Sequence, residues 1–187
     1  MTLTKREILG LLESHNLRPS RALGQNFVAD ANTVRRIVRL AAIKPGDQVL
    51  EIGPGLGSLT LALADVGARV TAVEIDRHLV PVLRSVLEGR DVQVVQADAM
   101  TLNWVELLGV QPNAWVVVAN LPYNIATPLV LDLLAMAPQV DRFVVMTQLE
   151  AAQRLAADPG TKVYGIPSVK RAWYAEARIL GDRKSVV

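Results

Sequence analysis

The segment Asn120-Leu121-Pro122-Tyr123 is the most specific chemical signal in the chain, and it follows an apolar run, Val116–Ala119. Pro122 stiffens the backbone and has no N–H donor, which leaves the Asn120 side-chain oxygen and the Leu121 carbonyl to accept hydrogen bonds from an amine. Held in this way, the amine keeps its lone pair directed at an electrophile. Tyr123 offers a flat ring on which a base can stack. The motif predicts attack by an amine without a strong general base; the alternative is a proline turn with a core tyrosine.

A glycine-rich turn, Gly53-Pro54-Gly55-Leu56-Gly57, follows the segment Gln48–Ile52. Glycine lets the backbone approach a ligand closely because it has no Cβ. The fingerprint for a pyrophosphate needs glycine or alanine where this chain has Ser58, and no Lys-Ser/Thr pair of a P-loop follows. The turn therefore predicts a ligand without phosphates lying across it. The alternative is a tight turn with no ligand.

Two acids occupy equivalent places further along the chain. Glu74 is placed to accept hydrogen bonds from both hydroxyls of a ribose, and Asp98 to accept one from an adenine amino group. The alternatives are a solvated acid at a strand end and a helix cap. Gly53, Glu74, Asp98 and Asn120 are separated by 21, 24 and 22 residues, which is one strand–helix repeat each. Because the carboxyl ends of parallel strands share one edge of a sheet, we expect these residues to meet in one crevice.

The segment Leu23–Asp30 places an aromatic residue, Phe27, within a polar loop. Its neighbours Gln25 and Asn26 carry amides that can bind the charged end of a ligand. Phe27 is either an anchor into the core or a stacking partner, and the residue taken alone favours the anchor.

These residues need a framework of alternating strands and helices. The sequence predicts strands over Gln48–Ile52, Arg69–Glu74, Val92–Gln96, Ala114–Ala119 and Arg142–Gln148. It predicts helices over residues 5–14, behind a capping box of Thr4 and Glu7, and over Ala31–Ala42, Ser58–Val66, His78–Leu87, Trp104–Leu108, Thr127–Met136 and Ala151–Ala157. The alternation predicts one α/β domain over residues 1–187, in which residues 1–42 form an N-terminal extension of helices and a loop.

Composition narrows the class of protein further. Of the 187 residues, 51% are hydrophobic and 20% charged, which excludes intrinsic disorder. The absence of cysteine excludes disulfides, thiolate zinc sites and cysteine nucleophiles, and two histidines are too few for most metal sites. No signal peptide or membrane span is predicted, so we expect a cytoplasmic protein with no metal and no membrane association.

The net charge of +2 hides an uneven distribution. Residues 1–39 carry seven basic and three acidic side chains, and residues 170–187 carry five basic and two acidic ones, so the middle of the chain is acidic. Two basic ends are compatible with a bound polyanion. Charge alone nevertheless favours ordinary solvated helix faces.

Taken together, the segments LGQNF, EIGPGLGSLT, VEID, QADA and NLPYNIATP resemble the ribosomal RNA adenine N6-dimethyltransferases, the KsgA/RsmA family of S-adenosylmethionine-dependent methyltransferases. The resemblance covers most of the chain, and Leu121 is closer to the small-subunit type than to the large-subunit (Erm) type. It implies a Rossmann-like fold with a central, mostly parallel sheet, helices on both faces and a C-terminal antiparallel hairpin, whose arms would precede and follow a turn at Gly181-Asp182 and whose second arm would be Ser185–Val187. It also implies dimethylation of adenines in small-subunit (16S) ribosomal RNA, an rRNA-processing step of ribosome biogenesis.

The resemblance implies roles for individual residues. Cofactor contacts are expected from Gln25, Asn26, Val28, Gly53, Gly55, Glu74, Ile75, Asp98, Ala99 and Asn120. Asn120 and Leu121, followed by Pro122, would orient N6 of the target adenine, Tyr123 would stack on the flipped base, and Phe27 would close over it. Candidates for contact with RNA phosphates are Arg18, Arg21, Arg35, Arg36, Arg39, Lys170 and Arg171. We expect a monomer that binds the small ribosomal subunit.

Two departures from the family pattern bear on activity. Family members continue into a small helical domain that contacts ribosomal RNA, and they carry a proline-rich stretch with an aromatic where this chain has residues 178–187. We therefore expect a truncated catalytic domain that keeps its affinity for the cofactor but has weak or no turnover on ribosomal subunits. The alternatives are an RNA-binding ribosome-assembly module without catalysis, an Erm-type 23S rRNA methyltransferase, a methyltransferase for another exocyclic amine, and an NAD-binding oxidoreductase, which Ser58 disfavours.

Overall fold

Five parallel strands form the central sheet in the part of the chain that the structure describes. The computed structural model describes residues 2–20, 25, 27–111 and 114–181, apart from the side chain of Tyr123. The strands are β1 (Gln48–Ile52), β2 (Arg69–Glu74), β3 (Val92–Gln96), β4 (Trp115–Asn120) and β5 (Val140–Met146), and their order across the sheet is β3-β2-β1-β4-β5. The order and the parallel pairing confirm the predicted Rossmann-like α/β fold.

Helices connect the strands and cover both faces of the sheet. In the described residues they are α1 (Lys5–Ser14), α2 (Ala31–Leu40), α3 (Ser58–Asp65), α4 (Leu79–Val86), α5 (Trp104–Leu108), α6 (Tyr123–Met136), α7 (Leu149–Ala156) and α8 (Ile166–Tyr174). None of these helices combines the length and the apolar character needed to cross a membrane.

Alternate residues of each strand pack into two different layers. Leu50 of β1 and Val117 of β4 belong to a buried cluster with residues of α5, α6 and α7. Val49 and Val116, one position earlier on the same strands, belong to a second cluster with residues of α2 and α3. Side chains of a strand alternate between faces, so apolar residues at consecutive positions bury both faces of the sheet.

The chain reverses its direction across the sheet between β1 and β4. Strands β1, β2 and β3 advance toward one edge, and the chain then returns to place β4 on the other side of β1. Ligands of open α/β sheets bind at this switch point, outside the carboxyl ends of the strands. Gly53 follows β1 directly and Asn120 is the last residue of β4, so the glycine turn and the Asn120 motif lie on either side of it.

The first helix supports the glycine turn from outside. It begins with the predicted capping box, in which the Glu7 N–H donates to the Thr4 hydroxyl oxygen at 3.3 Å and the Thr4 N–H donates to Glu7 Oε2 at 2.7 Å. Ile8 and Leu12 are buried in a cluster with Leu56 of the glycine turn. The N-terminal extension thus fixes the outer side of the turn.

The three tryptophans lie in different environments. Trp104 and Trp115 are buried in the layer that contains α5, α6 and α7, and the Trp115 indole N–H donates to the Leu108 carbonyl oxygen at 2.9 Å. Trp173 on α8 is 84% exposed. Two of the three rings therefore belong to the core of the sheet, and one lies on the surface.

Helix α6 begins four residues earlier than the sequence predicts. The prediction treated Pro122 as part of a loop and began the helix at Thr127, whereas Pro122 is the N-cap of α6. Its carbonyl oxygen accepts from the N–H groups of Ile125 at 3.3 Å and Ala126 at 3.0 Å. Proline suits this end of a helix because the first backbone N–H groups have no partner within the helix.

The C-terminal part differs more from the prediction. Helix α8 was not predicted, and residues 175–181 form no strand, although one arm of the antiparallel hairpin was expected there. The other arm, Ser185–Val187, lies outside the described residues. An arm of a hairpin needs the hydrogen bonds of its partner strand, and residues 175–181 pair with none of the described strands.

Candidate active site

The glycine turn has a backbone that only glycine adopts readily. Gly53, Gly55 and Gly57 have φ values of 70°, 59° and 89°. A Cβ built on Gly55 would lie 2.8 Å from a ring carbon of Phe27, and one built on Gly53 would lie 3.9 Å from the Asn120 carbonyl oxygen. Both the backbone conformation and the available space therefore require glycine at position 55. The contact at Gly53 shows that the turn and the Asn120 motif adjoin.

Glu74 is the buried acid of the site. Its carboxylate accepts from the Gly55 N–H at 3.0 Å and from the Asp76 N–H at 2.9 Å. Burial raises the pKa of Glu74, and these two backbone donors work against that shift. A carboxylate accepts about four hydrogen bonds, so two bonds to the backbone leave room for others. Glu74 thus holds the glycine turn and retains acceptor capacity toward the cleft that it lines.

The loop before α2 is attached to the β2–α4 connection through Gln25. The Gln25 amide donates to Asp76 Oδ2 at 2.8 Å and accepts from the Ser20 N–H at 2.7 Å. Asp76 also accepts from the His78 N–H at 2.9 Å. Gln25 lines the cleft, but both ends of its amide already bind the protein. The structure therefore gives this residue an anchoring role, and its predicted contact with a ligand stays a prediction.

The other predicted residues of this loop differ in their surroundings. Phe27 packs against Gly55 and belongs, half-buried, to the cluster of α1 and α4, as the anchor interpretation predicts. Val28 is buried against α2 and α3. Asn26 lies outside the described residues. The predicted closure of Phe27 over a base is untested by these contacts.

The remaining predicted cofactor contacts after β2 and β3 also line the cleft. Ile75 is 46% exposed directly after β2, and Ala99 is buried. Asp98 is exposed, and its Oδ1 accepts from the Met100 N–H at 2.9 Å. Asp98 therefore stabilises the turn after β3; its interpretation as a helix cap is wrong, because α5 begins later and has Asn103 as its N-cap. Asp98 also lines the cleft.

The Asn120 motif joins a strand end to a helix start. Asn120 is the last residue of β4 and pairs with Met146 of β5. The Leu121 N–H donates to the Met146 carbonyl oxygen at 2.9 Å, and its side chain is buried. Asn120, Leu121 and Pro122 all line the cleft. The predicted role of the Tyr123 ring lies outside the described side chains.

Sequence reasoning did not include Glu51 among the site residues. It lies on β1 two residues before Gly53 and is 2% exposed. Burial raises the pKa of the Glu51 carboxyl to about 8, and the charge of Glu74 adds to the shift, although the nearby Thr60 hydroxyl opposes it. Among the described residues, Glu51 Oε2 and the hydroxyls of Ser58 and Thr60 make no hydrogen bond. The sequence feature that could have pointed to Glu51 is an acidic residue beside the apolar residues of a strand that is predicted to be buried.

One cleft of about 1370 Å³ collects these residues. Its lining includes the glycine turn, Glu51, Glu74, Asp98 and Asn120, together with residues of β5, α7 and the segment 175–181. The convergence that the 21-, 24- and 22-residue spacings predict is therefore observed. The described part of the chain contains no group of three or more potential metal ligands.

Arg171 was predicted to contact RNA phosphates, and this is wrong. The side chain is 9% exposed. Its guanidinium donates to the carbonyl oxygens of Leu155 at 2.8 Å, Ala157 at 3.2 Å and Ala175 at 3.2 Å. Arg171 thus satisfies backbone carbonyls at the end of α7 and attaches α8 to it, a role that a count of charges along the sequence does not reveal.

Comparison with known proteins identifies the family. A sequence model described as ribosomal RNA adenine dimethylase matches residues 15–183 of the chain. The chain belongs to the ribosomal RNA adenine dimethylase family. It is 50% identical over 185 residues to ribosomal RNA small subunit methyltransferase A of Kineococcus radiotolerans, a match that covers 96% of this chain and 60% of the relative. The chain thus spans about 60% of the length of this curated relative.

Solved structures extend the comparison. The 23S rRNA methyltransferase ErmE is 39% identical with a TM-score of 0.62, over 72% of this chain and 53% of that one. An RNA methyltransferase from Salinibacter ruber, solved in complex with S-adenosyl-L-homocysteine, is 25% identical with a TM-score of 0.51, over 59% of this chain and 71% of that one. These similarities agree with membership of the dimethylase family.

The cofactor of this family, S-adenosylmethionine, fits the residues of the cleft. It is a methyl donor with a ribose, an adenine and a charged amino acid end. Glu74 retains acceptor capacity, and Glu51 Oε2 and the Ser58 hydroxyl, which both line the cleft, make no hydrogen bond within the described residues. Buried polar atoms normally have partners, so these groups suit a polar ligand.

Proposed function

We propose that the chain carries the catalytic domain of an S-adenosylmethionine-dependent adenine-N6 dimethyltransferase that acts on ribosomal RNA. One observation supports this most directly. Gly53 of the glycine turn adjoins Asn120 so closely that a Cβ built on Gly53 would lie 3.9 Å from the Asn120 carbonyl oxygen, at the switch point of the sheet. A cofactor on the turn and an amine on the Asn120 motif would therefore be neighbours.

In the proposal, the residues of β1, β2 and β3 hold the cofactor. Glu74 would accept hydrogen bonds from the ribose hydroxyls, and Asp98 from the amino group of the cofactor adenine. Gly53 and Gly55 would allow the backbone to lie against the ligand because neither carries a Cβ. Glu51 and Ser58 would bind polar groups near the turn. When bound, S-adenosylmethionine supplies a methyl carbon made electrophilic by the adjacent positive sulfur.

The residues that follow β4 hold the target amine in the proposal. The Asn120 side-chain oxygen and the Leu121 carbonyl oxygen would accept hydrogen bonds from the two N6–H groups of the target adenine, which directs the N6 lone pair into the cleft. Pro122 contributes no competing donor. Asn120 and Leu121 therefore act by position and alignment, and no side chain with a strongly shifted basic pKa is required. The adenine must leave its stack to reach them.

The substrate proposed is 16S ribosomal RNA in the small subunit. The support is the 50% identity to a small-subunit methyltransferase, compared with 39% to ErmE over a shorter part of the chain. A ribosomal substrate would place the enzyme in the cytoplasm, and we expect it to act as a monomer. The similarity to ErmE supports a second candidate, methylation of 23S ribosomal RNA.

Two measurements on the 187-residue chain test the proposal. Calorimetry with S-adenosylmethionine, and with NAD as the control, measures cofactor choice; we expect binding of the first only. Radioactive methyl transfer to small and large subunits that lack the modification, followed by mass spectrometry of the nucleosides, measures activity and target. We expect weak transfer that yields methylated adenine in small-subunit RNA.

Each alternative gives a different result. Product in the large subunit alone would favour the 23S candidate, and product on another base or on DNA would contradict adenine in ribosomal RNA as the target. Binding of S-adenosylmethionine and of RNA without any transfer would favour an assembly module that does not catalyse. Binding of NAD in place of S-adenosylmethionine would refute the proposal entirely.

A further inference from the structure

Arginines at the amino ends of the strands are paired with acids. Arg69, at the start of β2, lies 4.0 Å from Asp91, and Arg90 pairs with Asp65. Arg142, near the start of β5, lies 3.1 Å from Asp141 and 3.8 Å from Asp47. Asp47 and Asp91 lie in turns before strands, Asp65 is the last residue of α3, and Asp141 is near the start of β5. Positive charge is locally neutralised there.

Helix α2 presents a different arrangement. Its inner face, which includes Val34 and Ile37, is buried, and its outer face carries Arg35, Arg36 and Arg39, all exposed. Within the described part of the chain, none of these three forms an ion pair. The spacings of three and four residues place the side chains on one helix face. We refer to Arg35, Arg36 and Arg39 as the α2 arginine face.

The α2 arginine face begins at the cleft. Thr33 and Arg36 line the cleft, and the Arg36 guanidinium lies against Gly181 of the segment that forms the far wall. Arg35 donates to Asn32 Oδ1 at 2.8 Å, which orients its guanidinium but occupies only one of its five N–H donors. The α2 arginine face therefore extends from the edge of the cleft and presents guanidinium N–H groups that can donate to a ligand.

We propose that the α2 arginine face binds the phosphate backbone of the RNA whose adenine enters the cleft. This inference rests on the proposed function, because it takes RNA as the substrate. Guanidinium groups match phosphate oxygens with two parallel donors, and phosphate contacts position a nucleic acid without reading its sequence. In this proposal the α2 arginine face positions the RNA backbone, and the Asn120 motif selects N6 of the adenine for methylation.

A binding experiment with a matched control tests this surface. The probe is a fluorescently labelled RNA hairpin with unpaired adenines in its loop, and anisotropy measures its affinity between about 50 and 200 mM salt. The test variant is R35Q/R36Q/R39Q. The control, R69Q/R84Q/R90Q, removes the same charge from the side of β2, α4 and β3. Thermal unfolding and calorimetry with S-adenosylmethionine verify that each variant folds and binds the cofactor.

We expect the α2 variant to bind the hairpin at least about tenfold more weakly and to lower the slope of log K against log salt by about 2 to 3, since each phosphate contact contributes about 0.7 to 0.9. The control should change both quantities much less. Cofactor affinity should stay the same in both variants. The lysine variant R35K/R36K/R39K should keep most of the salt slope, because it keeps the charge.

Three results would overturn the inference. Equal weakening in the two glutamine variants would mean that net charge alone matters, and wild-type affinity in the α2 variant would mean that RNA lies elsewhere. If the triple variant unfolds at a lower temperature, the single substitutions R35Q, R36Q and R39Q must each lower the salt slope for the inference to stand. Failure of the proposed function is separate, since it shows as absent S-adenosylmethionine binding or methyl transfer in the wild-type chain.

Discussion

The two halves of the cleft are built by different means. On the side of β1, β2 and β3, the buried Glu74 accepts hydrogen bonds from the N–H groups of Gly55 in the glycine turn and of Asp76, and the turn itself is buried except for Gly53. On the side of β4 and β5, the Asn120 motif follows a strand end, and the wall opposite it comes from α7, α8 and the exposed segment 175–181. The half beside β1, β2 and β3 is built from the loops that directly follow those strands. The half beside β4 and β5 also needs α7, α8 and residues 175–181, which come later in the sequence.

The difference suggests a division of labour between the halves. A site held by backbone bonds and buried acids is rigid and suits one ligand of constant shape. A site whose far wall is exposed can admit a large substrate and release it. Cofactor affinity and methyl transfer should therefore respond to different substitutions.

The largest effect is expected for Asn120→Ala. The substitution removes one of two proposed acceptors for N6, so we expect the rate of methyl transfer to fall on the order of 10²–10³-fold. Cofactor affinity should fall by less than about tenfold, since the glycine turn and Glu74 remain. Single-turnover transfer of a radioactive methyl group, with enzyme in excess, measures the rate.

Asn124→Ala provides the control for Asn120→Ala. Asn124 is exposed on α6, four residues further on, and lines the same cleft. Its removal should leave the rate of transfer nearly unchanged. If Asn120→Ala lowered cofactor affinity as much as it lowered transfer, the two halves of the cleft would not be separable.

A smaller effect is expected for Glu74→Ala. The substitution leaves the N–H groups of Gly55 and Asp76 without their acceptor and removes the proposed partner of the ribose. Calorimetry should give about 10- to 100-fold weaker S-adenosylmethionine binding, in line with about 1.5–3 kcal/mol for hydrogen bonds to a charged group. Asp98→Ala should weaken binding no more than about tenfold, because Asp98 is exposed. If Asp98→Ala weakened S-adenosylmethionine binding more than Glu74→Ala, Glu74 would not be the main acidic contact of the cofactor.

The last effect concerns the pH dependence of stability and not binding or methyl transfer. Because burial raises the pKa of Glu51 from 4.5 to about 8, the folded state keeps a proton that the unfolded state releases between these values. The free energy of unfolding should therefore fall as pH rises from about 4.5 to 8, by at most about 1.4 kcal/mol per pH unit from this group. Glu51→Gln stays neutral and should flatten the profile.

Urea unfolding at a series of pH values measures the profile for Glu51. The raised pKa of Glu74 acts in the same direction, so some slope should remain in Glu51→Gln. Glu88→Gln, in the exposed turn after α4, serves as the control and should retain the wild-type profile. An unchanged slope in Glu51→Gln would show that Glu51 is ionised in the folded protein.

Much of the cofactor half could be predicted from the sequence. The bounds of β1, β2, β3 and α5 agree with the prediction, because apolar runs there are separated by clear turn residues. The convergence of Gly53, Glu74 and Asp98 followed from the regular strand–helix repeat. Glu51 was missed because an acid within a strand gives no sign of its burial until the strand has neighbours on both sides.

The acceptor half was harder to predict, for physical reasons. Pro122 and Pro128 interrupt the helical pattern of α6, so its first turn was read as a loop. Helix α8 carries Ile166, Val169 and Trp173 exposed, and its buried positions include Ser168 and Arg171, so its polarity pattern does not show which face is inside. The position of α8 depends on its tertiary contacts with α7, and the sequence of α8 alone does not show such contacts.

Because the tryptophans lie in different environments, their fluorescence can distinguish a change at the surface of α8 from unfolding of the core. Trp104 and Trp115 emit from the core beside β4, and Trp173 emits from the surface of α8, beside the wall of the cleft. A water-soluble collisional quencher reaches only the third ring in the native protein. Quenching that changes when RNA is added therefore signals an event at α8, and quenching of the other two rings signals loss of the core.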